Sequence, residues 1–158
     1  MIESLRKNVM WRAIPIAGLG AGVVFLVINA LLNSLILGIG PGMTLRYAAA
    51  LVLGPDSLTD LNSTNLIIGA VVHLVISLVL TLVIAIVVHR WGLLVGIIGG
   101  ALLGLAFYGI NLYAMTVLFP FFFAINSSVL LLSHIAFGVV AGGVYELLDR
   151  FDQPLLKE

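Results

Sequence analysis

Two histidines, His73 and His134, lie deep inside long apolar stretches of the chain. Imidazole can hydrogen-bond, carry a proton or ligate haem iron, so these side chains have the widest chemical range in those stretches. Each follows an asparagine at the edge of its stretch by eight residues, which places it roughly 12 Å further in at a helical rise of about 1.5 Å per residue. Two more asparagines, Asn29 and Asn111, lie near the corresponding ends of the other two apolar stretches. We expect these four side chains to face one polar centre.

Four roles are consistent with such a centre. Neutral histidines can hydrogen-bond across helices to Asn, Ser or a backbone carbonyl. The two histidines can instead ligate one haem b, with Gly69 and Gly138, one turn from each, leaving room for the macrocycle. A third role is contact with a quinone or a lipid, and a fourth is a path for protons or ions. Both are consistent with the rule that ionisable side chains inside a membrane are costly and face the protein interior.

The residue set for catalysis is incomplete. The chain has three histidines and no cysteine, and the carboxylates Asp56, Asp60 and Glu146 lie near or beyond the ends of the apolar stretches. A catalytic zinc site usually needs three protein ligands, and the apolar stretches offer two histidines. We therefore expect no metal site and no enzymatic activity from this chain alone.

The elements that carry these residues are predicted to be membrane helices. The 55 residues 91–145 contain no Asp, Glu, Lys or Arg. As one helix they would be roughly 80 Å long, far more than the ~30 Å hydrocarbon core, so they must cross a bilayer twice. Charged residues make up 9% of the chain, against about a quarter in soluble domains. The formal net charge is zero, which gives no reason to expect nucleic acid as a partner.

Four spans fit the apolar pattern, at residues 13–35, 65–88, 92–118 and 126–147. They predict an all-α integral membrane four-helix bundle, with residues 1–158 as a single transmembrane domain. Six of the seven Lys and Arg residues lie on the side of both termini, and only Arg46 lies on the other side. By the positive-inside rule, both termini are cytoplasmic.

The two outer connections differ in character. Residues 43–53, in the first connection, lie between two Gly-Pro pairs and are too few to span a bilayer. They predict a short interfacial or re-entrant helix, with Arg46 reaching toward lipid headgroups. Residues 119–123, in the second connection, are uncharged and aromatic, which fits an interfacial anchor or a docking surface for another membrane subunit.

Small residues recur at helical spacing inside the spans. A spacing of four places them on one face of a helix, where they allow close approach of helix backbones in lipid. The predicted packing residues are Gly18, Gly22, Gly96, Gly100, Gly104, Gly138 and Gly142. In the second span His73, Ser77 and Thr81 share one face, which is also compatible with the lining of an oligomeric channel or carrier.

The spans also contain a candidate internal repeat. An offset of 82 residues lays span one over span three and aligns Gly22 with Gly104. An offset of 61 lays span two over span four and aligns His73 with His134. Spans one and three run in the same direction, so the predicted repeat is parallel, with a twofold axis along the membrane normal.

The segment RYAAALVLGP (residues 46–55), followed by Val72-His73 and Asn111-Leu112-Tyr113, resembles a family of small four-span bacterial membrane proteins of uncharacterised function. Its members are often labelled as transporters. The resemblance covers most of the chain through short motifs. It implies a location in the bacterial inner membrane and supplies no established substrate.

These features predict a non-catalytic accessory subunit that packs against a larger membrane complex, for example a respiratory or other energy-converting one. The expected partners are the lipid bilayer and either other membrane subunits or a second copy of the chain. A second hypothesis is a small electron carrier that binds haem b or quinone through His73 and His134. A third hypothesis is an oligomeric channel or carrier.

Overall fold

The computed structural model describes residues 9–60 and 62–152, the last three of these by backbone alone. The described residues form helices and turns, with no strand among them. This part of the chain contains a short helix, α2 (Met43–Leu53), and four long ones: α1 (Ala13–Leu37), α3 (Ser63–Val88), α4 (Leu93–Leu118) and α5 (Ser128–Asp152). The predicted all-α bundle with an extra short helix is confirmed. Arg6, Lys7 and Lys157, which contribute to the predicted orientation, lie outside the described residues.

Each of the four long helices is long and apolar enough to cross a membrane. Large apolar side chains cover their outer surfaces, with Leu35 and Val117 about four-fifths exposed (80% and 79%). A continuous apolar surface of this kind is unfavourable in water and is the expected surface in lipid, where the helices also close their own backbone hydrogen bonds. The chain is a multi-pass integral membrane protein.

The start of α1 and the end of α5 lie at the same end of the bundle, where the backbone N–H of Met10 donates to the Tyr145 hydroxyl (3.0 Å). We call this the terminal end. It also holds the connection from α3 to α4, in which Arg90 and Gly92 both adopt positive φ (67° and 89°). The opposite end, which we call the loop end, holds the connections 38–62 and 119–127.

Helices α1 and α5 form the centre of the bundle and pack along each other. Helix α3 packs on α1 and α4 packs on α5, so the order of neighbours is α3, α1, α5, α4. The buried core includes Ala17 and Ala21 from α1 and Phe137 and Ala141 from α5. Contacts between α3 and α4 are few, and the bundle is therefore open on that side.

Glycines build the contact between α4 and α5. A Cβ added at Gly100 would overlap the carbonyl oxygen of Gly138, and a Cβ added at Gly104 would overlap the carbonyl oxygen of His134. Such contacts need helix backbones closer together than any side chain allows. Gly96 and Gly142 are related in the same way further toward the terminal end.

A second glycine contact joins α1 to α3. A Cβ at Gly22 would lie 2.8 Å from Ser77 Oγ, and a Cβ at Gly18 would lie 3.3 Å from Thr81 Oγ1. The structure thus places all seven predicted packing glycines against a neighbouring helix.

The two glycine contacts are locally alike, as the candidate repeat requires. Gly22 lies against His73 and Ser77 of α3. The offsets of 82 and 61 align these residues with Gly104, His134 and Gly138. In the structure Gly104 likewise lies against His134 and Gly138 of α5. The whole bundle does not follow the same symmetry. The extensive contact between α1 and α5 has no equal between α3 and α4, so the parallel twofold repeat stays a prediction.

The two loop-end connections pack on the bundle and on each other. At Gly69 of α3 an added Cβ would overlap the carbonyl oxygen of Leu45, so the backbone of α2 lies directly on α3. Tyr47 of α2 is buried, and its ring contacts those of Phe121 and Phe122, with centroids 6.3 and 5.8 Å away. Phe121 and Phe122 are therefore engaged within the chain, whereas Phe123 is 68% exposed, and the predicted interfacial anchor or docking surface stays a prediction.

Candidate functional site

The two predicted histidines meet at one phenylalanine of α1. The ring of Phe25 contacts the imidazoles of His73 and His134, with centroid distances of 5.3 and 5.0 Å. The Nε2 of His73 donates to the carbonyl of Gly22 (3.1 Å), and the Nδ1 of His134 donates to the carbonyl of Leu130 (2.8 Å). Both imidazoles thus hydrogen-bond to backbone carbonyls, which is the simplest of the four roles considered for them.

The structure does not fit axial ligation of a haem by these histidines. Gly69 and Gly138 were expected to leave room for a macrocycle, but the backbone of α2 covers Gly69 and Gly100 of α4 covers Gly138. The Phe25 ring lies against both imidazoles as well. A porphyrin would have to displace the Phe25 ring and the contact between α4 and α5.

The polar face of α3 is closed within a single chain. Ser77 and Thr81 are almost completely buried, at 2% and 0% exposure, against Gly22 and Gly18 of α1. Ser77 Oγ lies 3.4 Å from His73 Nε2. This face joins α1 and α3.

Asn29 is the centre of a different hydrogen-bond network, one turn beyond Phe25 on α1. Its Oδ1 accepts from Asn33 Nδ2 (2.5 Å) and from the Thr44 hydroxyl (2.6 Å), and its Nδ2 donates to Ser133 Oγ (3.2 Å). One buried amide thus links α1, α2 and α5. The spacing of four between Asn29 and Asn33 was a usable sequence signal, whereas the partners on the other helices depend on packing.

Asn111, the fourth predicted member, does not join either group. It begins a π-helical segment of α4, Asn111–Met115, and is half-buried. Within the described residues its side-chain amide has no hydrogen bond. The structure therefore brings the two histidines together, places Asn29 in a separate network, and leaves Asn111 apart.

A cavity of about 200 Å³ lies next to Asn29 at the loop end, between α1, α2 and the start of α5. Its lining is neutral and combines amide and hydroxyl side chains with apolar ones. The lining residues are Asn29, Asn33, Leu37, Ile39, Met43, Thr44, Ala124, Ile125, Asn126, Ser127 and Leu130. Neither deep histidine is among them.

The sequence placed Glu146 near the end of an apolar stretch and gave it no role, whereas the structure buries its side chain against the start of α4. Its side chain is 1% exposed and lies inside the bundle at the terminal end. Oε2 accepts the backbone N–H of Gly92 (2.9 Å), just before α4 begins, and Gly96 makes room for the side chain because a Cβ there would lie 2.6 Å from Glu146 Cγ. Glu146 therefore caps the N-terminus of α4 from a different helix through Oε2, while its Oε1 is buried with no hydrogen-bond partner among the described residues.

The described residues contain no cluster of three or more His, Cys, Asp or Glu side chains that could hold a metal ion. No family model matches the chain, and no curated protein or solved structure is significantly similar to it.

Proposed function

We propose that this chain is a non-catalytic subunit that associates, through its membrane helices, with another membrane protein. The observation that carries this proposal is Asn111, a polar side chain within a membrane span that its own chain leaves, among the described residues, without a hydrogen bond. The open arrangement of the bundle, with α3 and α4 at its two edges, supports it further.

Several other polar side chains of the interior already serve the fold. His73 bonds to α1, and Asn29 connects three helices through Thr44 and Ser133. Hydrogen bonds of this kind contribute on average about 0.6 kcal/mol each in membrane bundles. Their role is to hold helices together, which accounts for these residues without a reaction.

Asn111 lacks such an internal explanation. It lies seven residues before the end of α4, roughly 10 Å inside the span by helical rise. An amide at this depth is stabilised by a hydrogen-bonding side chain on a neighbouring helix. The π-helical segment that starts at Asn111 supports a role in recognition, because π-bulges inside α-helices are frequent at functional sites.

The proposal also includes the orientation of the chain in the membrane and the membrane in which it lies. The bias of basic residues toward the terminal end supports cytoplasmic termini, with Arg12 and Arg90 on that side and Arg46 at the loop end. A bacterial inner membrane and a larger, energy-converting complex are the setting and the partner that we propose.

The test is purification from native membranes in a mild detergent, for wild type, Asn111→Leu and the matched control Thr116→Val. Thr116 follows the same π-helical segment and donates to carbonyls of its own helix, so its replacement removes no contact with a partner. We expect wild type and Thr116→Val to elute with a membrane protein in fixed stoichiometry, and Asn111→Leu to lose it. A wild-type chain that elutes as a monomer with no co-purifying membrane protein contradicts the proposal.

A further inference from the structure

The loop-end cavity beside Asn29 is not needed for the proposed association and has a composition of its own. At about 200 Å³ it has room for roughly six or seven waters, given the ~30 Å³ that each occupies in the liquid. This is below the ~300 Å³ that begins the range of drug-sized pockets. The volume suits one small molecule or part of a lipid headgroup.

One wall of the cavity is held rigidly by the Asn29 network. Asn29 is 2% exposed and is fixed by Thr44 of α2 and Ser133 of α5. Asn33 donates its amide N–H to Asn29. Because that bond orients the Asn33 side chain, its Oδ1 remains as an acceptor with no hydrogen bond among the described residues.

The second loop-end connection contributes donors to the lining. Asn126 accepts the Tyr108 hydroxyl with its Oδ1, which leaves its Nδ2 group to donate. Ser127 Oγ accepts the backbone N–H of Leu130 (3.2 Å), which leaves its own O–H to donate. Apolar side chains, among them Met43 and Ile125, fill the rest of the lining.

The chemistry of these walls selects a ligand class. No charged residue lines the cavity, so a charged ligand would be buried without a counter-charge, which is costly. The ligand must accept hydrogen bonds from Asn126 and Ser127 and donate one to Asn33. A hydroxyl group does both, whereas a quinone offers acceptors only and would leave the Asn33 oxygen unpaired.

We infer that this cavity binds a small neutral polyhydroxylated group, with adjacent hydroxyls bridging Asn33 of α1 to Asn126 and Ser127 of the second loop-end connection. The carbon face of such a group packs on the apolar part of the lining. Two sources share this chemistry, a free sugar and the sugar headgroup of a neutral glycolipid.

The test uses the full chain purified in a detergent without a sugar headgroup, so that the detergent does not occupy the site. Equilibrium binding of D-glucose measures the free-sugar arm. Native mass spectrometry from nanodiscs containing monoglucosyl diacylglycerol measures the lipid arm. We expect saturable binding of one molecule in at least one arm, and the arm that binds identifies the source.

Three variants locate the binding. Ala124→Phe fills the cavity while leaving the side-chain hydrogen bonds around it in place, and it should abolish binding. Asn33→Leu should weaken binding by roughly two- to tenfold, the loss expected for one hydrogen bond. Ser128→Ala, an exposed position beside the cavity but outside its lining, should bind as wild type does.

Several results would overturn the inference. They are failure of both hydroxylated probes to bind wild type, binding that is unchanged in Ala124→Phe, and saturable binding of a short-chain benzoquinone where both hydroxylated probes fail. None of these results depends on whether a membrane protein co-purifies, so this site and the proposed association can fail separately.

Discussion

Gly100 of α4 and Gly138 of α5 face each other so closely that the carbonyl oxygen of each occupies the place where a side chain of the other would begin. The two helices run antiparallel, and Gly96 and Gly142 repeat the relationship about one turn away. At this separation Cα–H groups can donate to the facing carbonyls, at about 0.5–1 kcal/mol each. This reciprocal contact fixes the position of α4, which has few other neighbours.

Replacing Gly100 with alanine should therefore force α4 and α5 apart. We expect a loss of unfolding free energy of at least about 1–3 kcal/mol, the usual cost of overpacking, because the obstacle is backbone and cannot rotate away. This loss of unfolding free energy is measured by unfolding the protein in mixed micelles with an increasing fraction of SDS. Gly109→Ala is the matched control: it lies on the same helix and an added Cβ meets nothing within 4 Å. Equal stability of the two variants would contradict the importance of this contact.

Asn29→Leu should loosen α2 from the bundle. The change keeps the side-chain size but removes the acceptor shared by Asn33 and Thr44. Leaving buried polar groups unpaired costs about 1–3 kcal/mol. Hydrogen exchange of residues 43–53 should become faster than in wild type. Ser34→Ala removes an exposed hydroxyl that donates only to the Ile39 carbonyl (3.1 Å) and makes no hydrogen bond to Asn29, so it should leave exchange in that segment unchanged. If the two variants exchange alike, α2 is held by something other than Asn29.

Glu146→Ala should expose the start of α4. Loss of a capping group costs about 0.5–2 kcal/mol, and the effect should be local, with faster exchange of the amides near Gly92. Glu146→Gln retains an oxygen that can accept the same N–H, so it should preserve most of the protection. Indistinguishable exchange in both variants and wild type would show that the carboxylate does not cap this helix.

Tyr47 should make stability depend on alkaline pH. Burial raises the pKa of Tyr47 above its ordinary value of 10.0, and the nearby charge of Arg46 acts in the opposite direction. The folded state therefore holds the phenolic proton more tightly than the unfolded state. This contribution is complete below the unfolded pKa and is lost as the pH rises through the folded pKa.

Comparison with Tyr47→Phe isolates that effect. The ring contacts with Phe121 and Phe122 remain, and only the ionisable group is removed. Thermal unfolding midpoints of wild type and variant should run in parallel up to about pH 9, and wild type should then fall more steeply. Parallel curves up to about pH 11 would mean that Tyr47 ionises as freely in the folded chain as in the unfolded one.

The helices were predictable because their signals are local. Apolar stretches longer than a bilayer is thick, interrupted by few charged residues, leave little choice of structure, and the Gly-Pro pairs bound α2 closely. The packing faces were also readable from the glycine spacing. The glycine spacing does not identify the helix that each face contacts, because many helix pairings bury the same small residues equally well.

The candidate sites were less predictable because they depend on those pairings. His73 and His134 were expected to share a centre with Asn29 and Asn111. The depth of a residue along a helix, however, does not determine the direction in which its side chain points around the helix axis. Asn29 instead meets Ser133, and Glu146 meets an amide 54 residues away. Both partners follow only from the contacts of α5 with α1 and α4.

The capping of α4 by Glu146 has a consequence for biogenesis. A ribosome delivers the α3–α4 hairpin to the membrane before it has made α5, so the first amides of α4 enter the bilayer boundary without the carboxylate that later receives them. The α3–α4 hairpin therefore lacks this cap until translation has passed residue 146. A helix synthesised later therefore caps an earlier one, and truncation before residue 146 should leave a chain in which the start of α4 has lost this cap.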